Sequence, residues 1–325
     1  MIVHCHDYGW GPEWPVKQIE REITDQYLAP LARSDLRVVV INSTWYGQEQ
    51  HQKTLTWLRN NVWDIAVLVC MIDALIPEPE WFAEFDRPVI AIGSTPGPHH
   101  VSLWAEVSAR YIRPDAEHAI DLPFMCLNRK PHWHRVRIYQ QLSAANLLEQ
   151  GLVSMGGSDV SGAVRALPET VAANDFAPNG SQDHHGMAND ITSLGDPSNW
   201  RRHFLNVVTE TVFDVDAKYF VSEKIFKPML GHRPFLVYAA GGAEQWLVQQ
   251  GFEPYLDDFH DVTDLDLRDA DNIVPFLSTI CAQGSAYWKQ KYLDLLPKIQ
   301  YNQERFDEFV AEQRQRIHEG ITCPI

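Results

Sequence analysis

The 325-residue chain contains no apolar run approaching the length of a membrane span. Its opening stretch, MIVHCHDYGWGPEW, turns polar and Gly/Pro-rich at once, so it carries no apolar secretory-signal segment. Both absences predict a soluble, cytoplasmic protein. Five cysteines (Cys5, Cys70, Cys126, Cys281 and Cys323) are odd in number, far apart and without a CxxC pair. A disulfide framework is thereby excluded, and Cys5, Cys70 and Cys126, in apolar strand-like runs, read as small core residues. Neither GxGxxG behind the first strand nor GxxxxGKS/T occurs, which removes the commonest dinucleotide and P-loop readings. No DxD stands at a strand end, since Asp214-Val215-Asp216 and Asp264-Leu265-Asp266 fall elsewhere. The histidine pairs His4/His6, His99/His100, His132/His134 and His184/His185 lack a cysteine or carboxylate at zinc spacing, so no metal site is expected. Basic residues are scarce: 27 Lys+Arg against 43 Asp+Glu give a net charge of −16. That balance argues against a broad nonspecific nucleic-acid surface. A local basic cleft from Arg129, Lys130, Arg135, Arg137, Arg201 and Arg202 is compatible with it.

What is present is material for a full core: 45% hydrophobic and 11% aromatic residues, in a length that accommodates two domains. Strands are predicted at 2–6, 36–42, 64–71 and 88–93, with helices at 15–31, 48–61 and 79–85 between them. This α/β alternation predicts a parallel sheet covered on both faces, with ligands at the carboxyl edge of its strands. His4 and His6, two apart on a strand, would share one face. A second alternating unit starts near Asp121. It comprises the strand LPFMCLN, a helix at 133–150, the strand GLVSMG and a loop at 158–199 rich in Gly, Pro, Asn, Asp and Ser. A strand ending at Glu210, a helix from Ser222 and the strand PFLVYAA follow. Residues 175–199 are expected to be mobile without ligand. Two helices close the chain, the last at 285–318. The expected boundaries are 1–120, 121–268 and 269–325.

The chemistry concentrates between Asn206 and Tyr255. Ser222 is a good N-cap, IFKPML has helical apolar spacing, and Gly231 is a stop. A helix N-terminus facing the carboxyl edge of a parallel sheet favours bound phosphate. Lys224 can neutralise that phosphate, and Glu223 can accept ribose hydroxyls. Glu210 is structural or close to the nucleotide. Arg135 is a second cation at the start of a helix, and Asn128 and Arg129 end the strand ahead of it. The competing reading is a structural ion pair of Lys224 with Glu210 or Glu223.

Three elements, Val208-Thr209-Glu210-Thr211, Ser222-Glu223-Lys224 and Arg233-Pro234-Phe235-Leu236, resemble the donor-nucleotide motif of the fucosyltransferase-like (family 10-like) glycosyltransferases. The wording SEKIFKP…HRPF is most similar to a divergent branch common in bacteriophage genomes. Upstream, CLNRKPHWHRVRIYQQL (126–142) is similar to the family's arginine-bearing helix, and Arg135 stands at the arginine that contacts the donor diphosphate. The resemblance covers 124–255. It implies GT-B architecture: two Rossmann-like domains facing across a cleft, with the C-terminal helix crossing back. It implies inverting transfer of a sugar to a hydroxyl, with a UDP- or GDP-type nucleotide-sugar as co-substrate and no other cofactor. The acceptor partner is a glycan or a hydroxymethylated pyrimidine in phage DNA. Phe220 stands where the family has a tyrosine beside the base. The family's general base is a first-domain glutamate in a loop after a strand, and Gly93-Ser94-Thr95 offers no carboxylate. Asp7 and Glu13, in the loop after the first strand, are the candidates, with His99 and His100 behind them. The alternative is a nucleotide-sugar-binding protein without catalysis. On this reading Lys224→Ala and Arg135→Ala both weaken nucleotide binding and leave the fold intact.

Overall fold

The structure, a computed structural model, describes residues 2–8, 15–29, 35–46, 48–73, 82–93, 100–114, 119–128, 132–155, 193–195, 197–211, 213, 220–239 and 242–322. The chain divides into two compact units, Met1–Ala109 with Asp307–Ile325, and Arg110–Phe306.

The first unit is built on a five-stranded parallel sheet. Its elements are β1 (Ile2–Tyr8), α1 (Pro15–Leu28), β2 (Val38–Tyr46), α2 (Gln48–Asn60), β3 (Ile65–Asp73), β4 (Val89–Gly93), β5 (His100–Ser102) and α3 (Leu103–Ser108). Consecutive residues Val38 to Ile41 and Ile65 to Val69 are all buried, so β2 and β3 are covered on both faces. On one face Val39, Ile41, Ala66 and Leu68 pack with Leu55 and Leu58 of α2, Trp63 and Phe82. The strand order is β1-β2-β3-β4-β5, without reversal. Among the described residues this order contains no reversal that would mark a switch point.

Two sequence expectations about β1 are corrected. The strand runs through Tyr8, so Asp7 pairs opposite Asn42 as a strand residue instead of opening a loop. The register shifts between Cys5 and Asp7, which leaves His6 out of the ladder and breaks the alternation with His4. The Asp7 side chain and all of Glu13 lie outside the described residues, as do Ser94, Thr95, His99 and residues 79–81 of the helix expected at 79–85, of which 82–85 form a turn closed by the Phe85 N–H on the Phe82 carbonyl at 2.9 Å. The sequence reading missed β5 and α3: three residues are too few to show a period, and every residue of α3 is buried, so no apolar stripe stands out.

The second unit holds β6 (Leu122–Asn128), α4 (Trp133–Ala144), β7 (Leu152–Met155), α5 (Pro197–Arg202), β8 (His203–Thr209), α6 (Glu223–Leu230), β9 (Phe235–Tyr238), α7 (Ala243–Gln249), α8 (Ile273–Gln283) and most of α9 (Ser285–Thr322). From residue 307 on, α9 groups with the first unit. The parallel sheet has the order β7-β6-β8-β9. The chain thus leaves β6 to one side for β7, then returns to β8 on the other side. That reversal makes the carboxyl ends of β6 and β8 a topological switch point, where open α/β sheets bind ligands. All seven residues of β8 are buried.

Helix α4 ends at Ala144, short of the expected Gln150. Asn146 takes a left-handed conformation (φ 55°), and its N–H and that of Leu147 turn back to the Ser143 and Leu142 carbonyls. Gly151 follows because a Cβ there would lie 2.5 Å from the Phe124 ring. Of the loop expected at 158–199, only its end is described, and there it is ordered against the core. Leu194 is buried, and Trp200 of the unforeseen α5 donates its indole N–H to the Leu194 carbonyl at 2.6 Å. Of the expected basic cleft, Arg129 and Lys130 lie outside the described residues, and three of the others are engaged or buried. Arg137 pairs with Asp271, Arg202 pairs with Asp121 at 2.9 Å, and Arg135 is buried. Among the described residues no helix is long and apolar enough to cross a membrane.

Candidate functional site

Three strand ends meet at the switch point, and Asn128 ties them together. The Thr209 hydroxyl donates to Asn128 Oδ1 at 2.5 Å, and the Asn128 N–H donates to Ser154 Oγ at 3.1 Å. Asn128, buried, is thus a clamp across β6, β7 and β8. Arg129 lies outside the described residues.

Glu210 leaves β8 completely buried. Its carboxylate accepts the Ser222 N–H at 2.9 Å and the Ser222 hydroxyl at 2.6 Å, across a sequence separation of 12. The same Ser222 Oγ accepts the Lys224 N–H and caps α6. One serine therefore fixes both the loop and the helix start. After two turns α6 is closed by Gly231 and by His232 in a left-handed conformation (φ 55°), and the Arg233 N–H turns back to the Pro228 carbonyl at 2.8 Å. Burial pushes the Glu210 carboxyl above its ordinary range, against the pull of Lys224 and the Ser222 bonds.

Lys224 Nζ sits 2.8 Å from Glu223 Oε1 and 3.1 Å from both Thr211 Oγ1 and Ser222 Oγ. The ion pair weighed against the functional reading is thus formed, with Glu223 as its partner. It is lopsided: the Lys224 side chain is 26% exposed and that of Glu223 only 3%. The Lys224 ammonium is held by three side-chain oxygens on a partly exposed side chain, and the Glu223 carboxylate it pairs with is buried. Burial works against the Glu223 charge, but Lys224 and Lys227 outweigh it and hold the carboxyl below its usual range. Lys227, one turn further on, is a cation that the sequence reading passed over; its ammonium also lies over the Tyr111 ring at 5.8 Å.

Arg135 is only 2% exposed, and its Nη2 donates to the Thr209 carbonyl at 3.0 Å. Burial lowers its pKa, while Glu210 and Glu223 favour its charge. The guanidinium acts from beneath the crevice, through the end of β8, and does not stand on its surface. Phe220 is buried as well, so it presents no open ring face. The structure thus brings Asn128, Arg135, Glu210, Ser222, Glu223 and Lys224 together in one bonded cluster at the ends of β6 and β8. It does not bring Phe220 to the surface there, and Asp7 belongs to the other unit.

His134, beside Arg135, is buried with Nε2 at 2.8 Å from the Glu210 carbonyl. Nε2 must carry the hydrogen, since a carbonyl only accepts. Burial lowers its pKa to about 4, helped by the Arg135 and His132 charges and opposed by the Glu210 carbonyl. The unfolded chain takes up this proton near 6.5, before the folded chain does. The stabilising contribution is therefore full above about pH 6.5 and is lost as the pH falls to about 4, by roughly 3 kcal/mol. His134→Gln keeps an N–H donor and removes the titration. Denaturant unfolding between pH 7 and 4 is expected to fall less steeply for this variant than for the natural chain, and equal slopes would contradict the assignment.

No protein-family model matches the chain, and no curated protein matches it. Among solved structures it is similar to an α1,3-fucosyltransferase with GDP-fucose, at 14% identity and a TM-score of 0.41, covering 87% of this chain and 90% of that one. It is also similar to a pneumococcal O-GlcNAc transferase in complex with UDP and GlcNAc, at 11% identity and a TM-score of 0.40, covering 92% of this chain and 60% of that one. Similarity at this level assigns neither a family nor an activity.

Proposed function

We propose that the chain is a glycosyltransferase that moves a sugar from a UDP- or GDP-type donor to a hydroxyl acceptor, with inversion and without a metal. The observation that carries this reading is the Lys224 ammonium at the N-terminus of α6, fixed by Glu223, Thr211 and Ser222 on a partly exposed side chain and set at a switch point. A diphosphate leaving group gathers negative charge as its bond to the sugar breaks, and a fixed ammonium beside a helix N-terminus stabilises that charge. In this reading, a GT-B arrangement, the second unit binds the donor. The first supplies the acceptor and the general base, with Asp7 and Glu13 as candidates. The acceptor is a glycan or a hydroxymethylated pyrimidine.

The test is a thermal-shift screen of UDP-, GDP-, CMP- and dTDP-sugars, followed by assay of nucleoside diphosphate release with and without acceptor. A ligand at a hundred times its dissociation constant stabilises by about 2.7 kcal/mol, which a melting curve resolves. The expected result is a shift with one diphosphate class and release of its nucleotide. Binding without release supports the non-catalytic alternative. No shift with any of them removes the donor site.

A further inference from the structure

We propose that Trp133 is the stacking platform for the nucleobase of the donor. Trp133 opens α4 at the carboxyl end of β6, two residues before Arg135. It is 61% exposed, the largest aromatic among the exposed apolar side chains described. It is also held in place. Its ring meets Phe213 at 5.1 Å and 83°, and His134 at 5.6 Å and 81°. Those two rings are themselves stacked, 5.0 Å apart at 20°, and Tyr238 at the end of β9 closes the cluster, tilted 35° to Phe213 at 5.1 Å and 6.5 Å from His134.

The cluster is anchored through His134. His134 bonds to the Glu210 carbonyl, and Glu210 holds Ser222 and with it the start of α6. The aromatic wall and the Lys224 ammonium are therefore parts of one bonded framework along the ends of β6, β8 and β9. A ring that is 61% exposed has at least one face open, and a ring already immobilised loses little entropy on stacking. The occupant of such a face, beside a site for phosphate, is a planar heteroaromatic ring. The aromatic suggested by the motif, Phe220, is buried and cannot serve. A tryptophan face accepts any base, with a larger overlap for a purine.

The proposal rests on the donor-site reading above, and the test separates the two. Calorimetric titration of GDP, UDP and inorganic pyrophosphate is made into the natural chain, Trp133→Ala and Trp133→Phe, with a melting curve for each. Trp133→Ala is expected to weaken GDP binding about tenfold or more, UDP somewhat less, and pyrophosphate not at all. Trp133→Phe is expected to stay within about threefold of the natural chain, since a smaller ring still stacks. Unchanged GDP affinity in Trp133→Ala overturns the platform, including the case where only transfer to acceptor suffers. Equal losses for GDP and pyrophosphate overturn it too, because Trp133 then supports the phosphate site. If the natural chain binds pyrophosphate and neither nucleotide, the platform alone falls. If it binds none of the three, the donor site falls and the platform with it.

Discussion

Arg314→Ala is expected to cost the first unit about 3 kcal/mol, because it strands a buried carboxylate. Glu106 on α3 has a side chain only 3% exposed, and it receives Arg314 through Nε at 3.0 Å and Nη2 at 2.9 Å. The Tyr27 hydroxyl of α1 donates to the same carboxylate. Burial raises the Tyr27 pKa first and the neighbouring carboxylate raises it further, so the phenol stays protonated and keeps donating. Close by, the Gln313 side chain accepts the Ser102 N–H. Three helices are thus joined through one carboxylate. Breaking a buried pair from one side costs about 3–5 kcal/mol, and the lower figure applies because Arg314 is 46% exposed. The single variant alone does not separate lost packing from a stranded charge. The double variant Glu106→Met/Arg314→Met does, since it removes both charges and retains apolar volume. Urea unfolding is expected to find the double variant more stable than Arg314→Ala. If it is less stable, the stranded charge is not the cause.

The second large effect belongs to Lys224. Lys224→Ala is expected to weaken nucleoside diphosphate binding by about 1.5–3 kcal/mol, the worth of one charge-assisted contact, and to reduce transfer further. Binding is read by calorimetric titration well below the melting midpoint, so that only folded protein is counted. Arg135→Ala is expected to behave differently, in correction of the view that both leave the fold intact. It removes the partner of the Thr209 carbonyl and a buried positive charge that two buried carboxylates face. Its main effect is therefore a lower melting temperature. Lys224→Ala with unchanged affinity and a lower melting temperature would leave Lys224 as the structural partner of Glu223 and nothing more.

The sequence carried the local grammar of this site well. Ser222, IFKPML and Gly231 mark the start, face and end of α6 by rules that act within a few residues, and α6 forms as Glu223–Leu230. The parallel sheets were legible from apolar runs such as DIAVLVCM. What escaped was set by distance or depth. Asn128, Ser154 and Thr209 make their clamp across separations of 26 and 81 residues, and Glu106 meets Arg314 across 208. No local pattern announces such pairs. The sequence showed the charge of Arg135 but not that it turns inward. It offered Phe220 for the base by position in a motif, while burial removes Phe220 and leaves Trp133 open. Strand order, too, is a property of the assembled sheet, so the missing reversal in the first unit had no sequence signal.

The discontinuous first unit has a consequence for synthesis. Its residues 1–109 emerge first, yet the stretch that completes it, 307–325, is translated only after all of the second unit. Domains ordinarily fold in the order in which they leave the ribosome. Residues 110–306 are a continuous segment that can close without the stretch from 307 on, whereas 1–109 lacks Arg314 until that stretch is made. A chain ending at residue 306 should therefore be cut by protease within 1–109 and resist within 110–306.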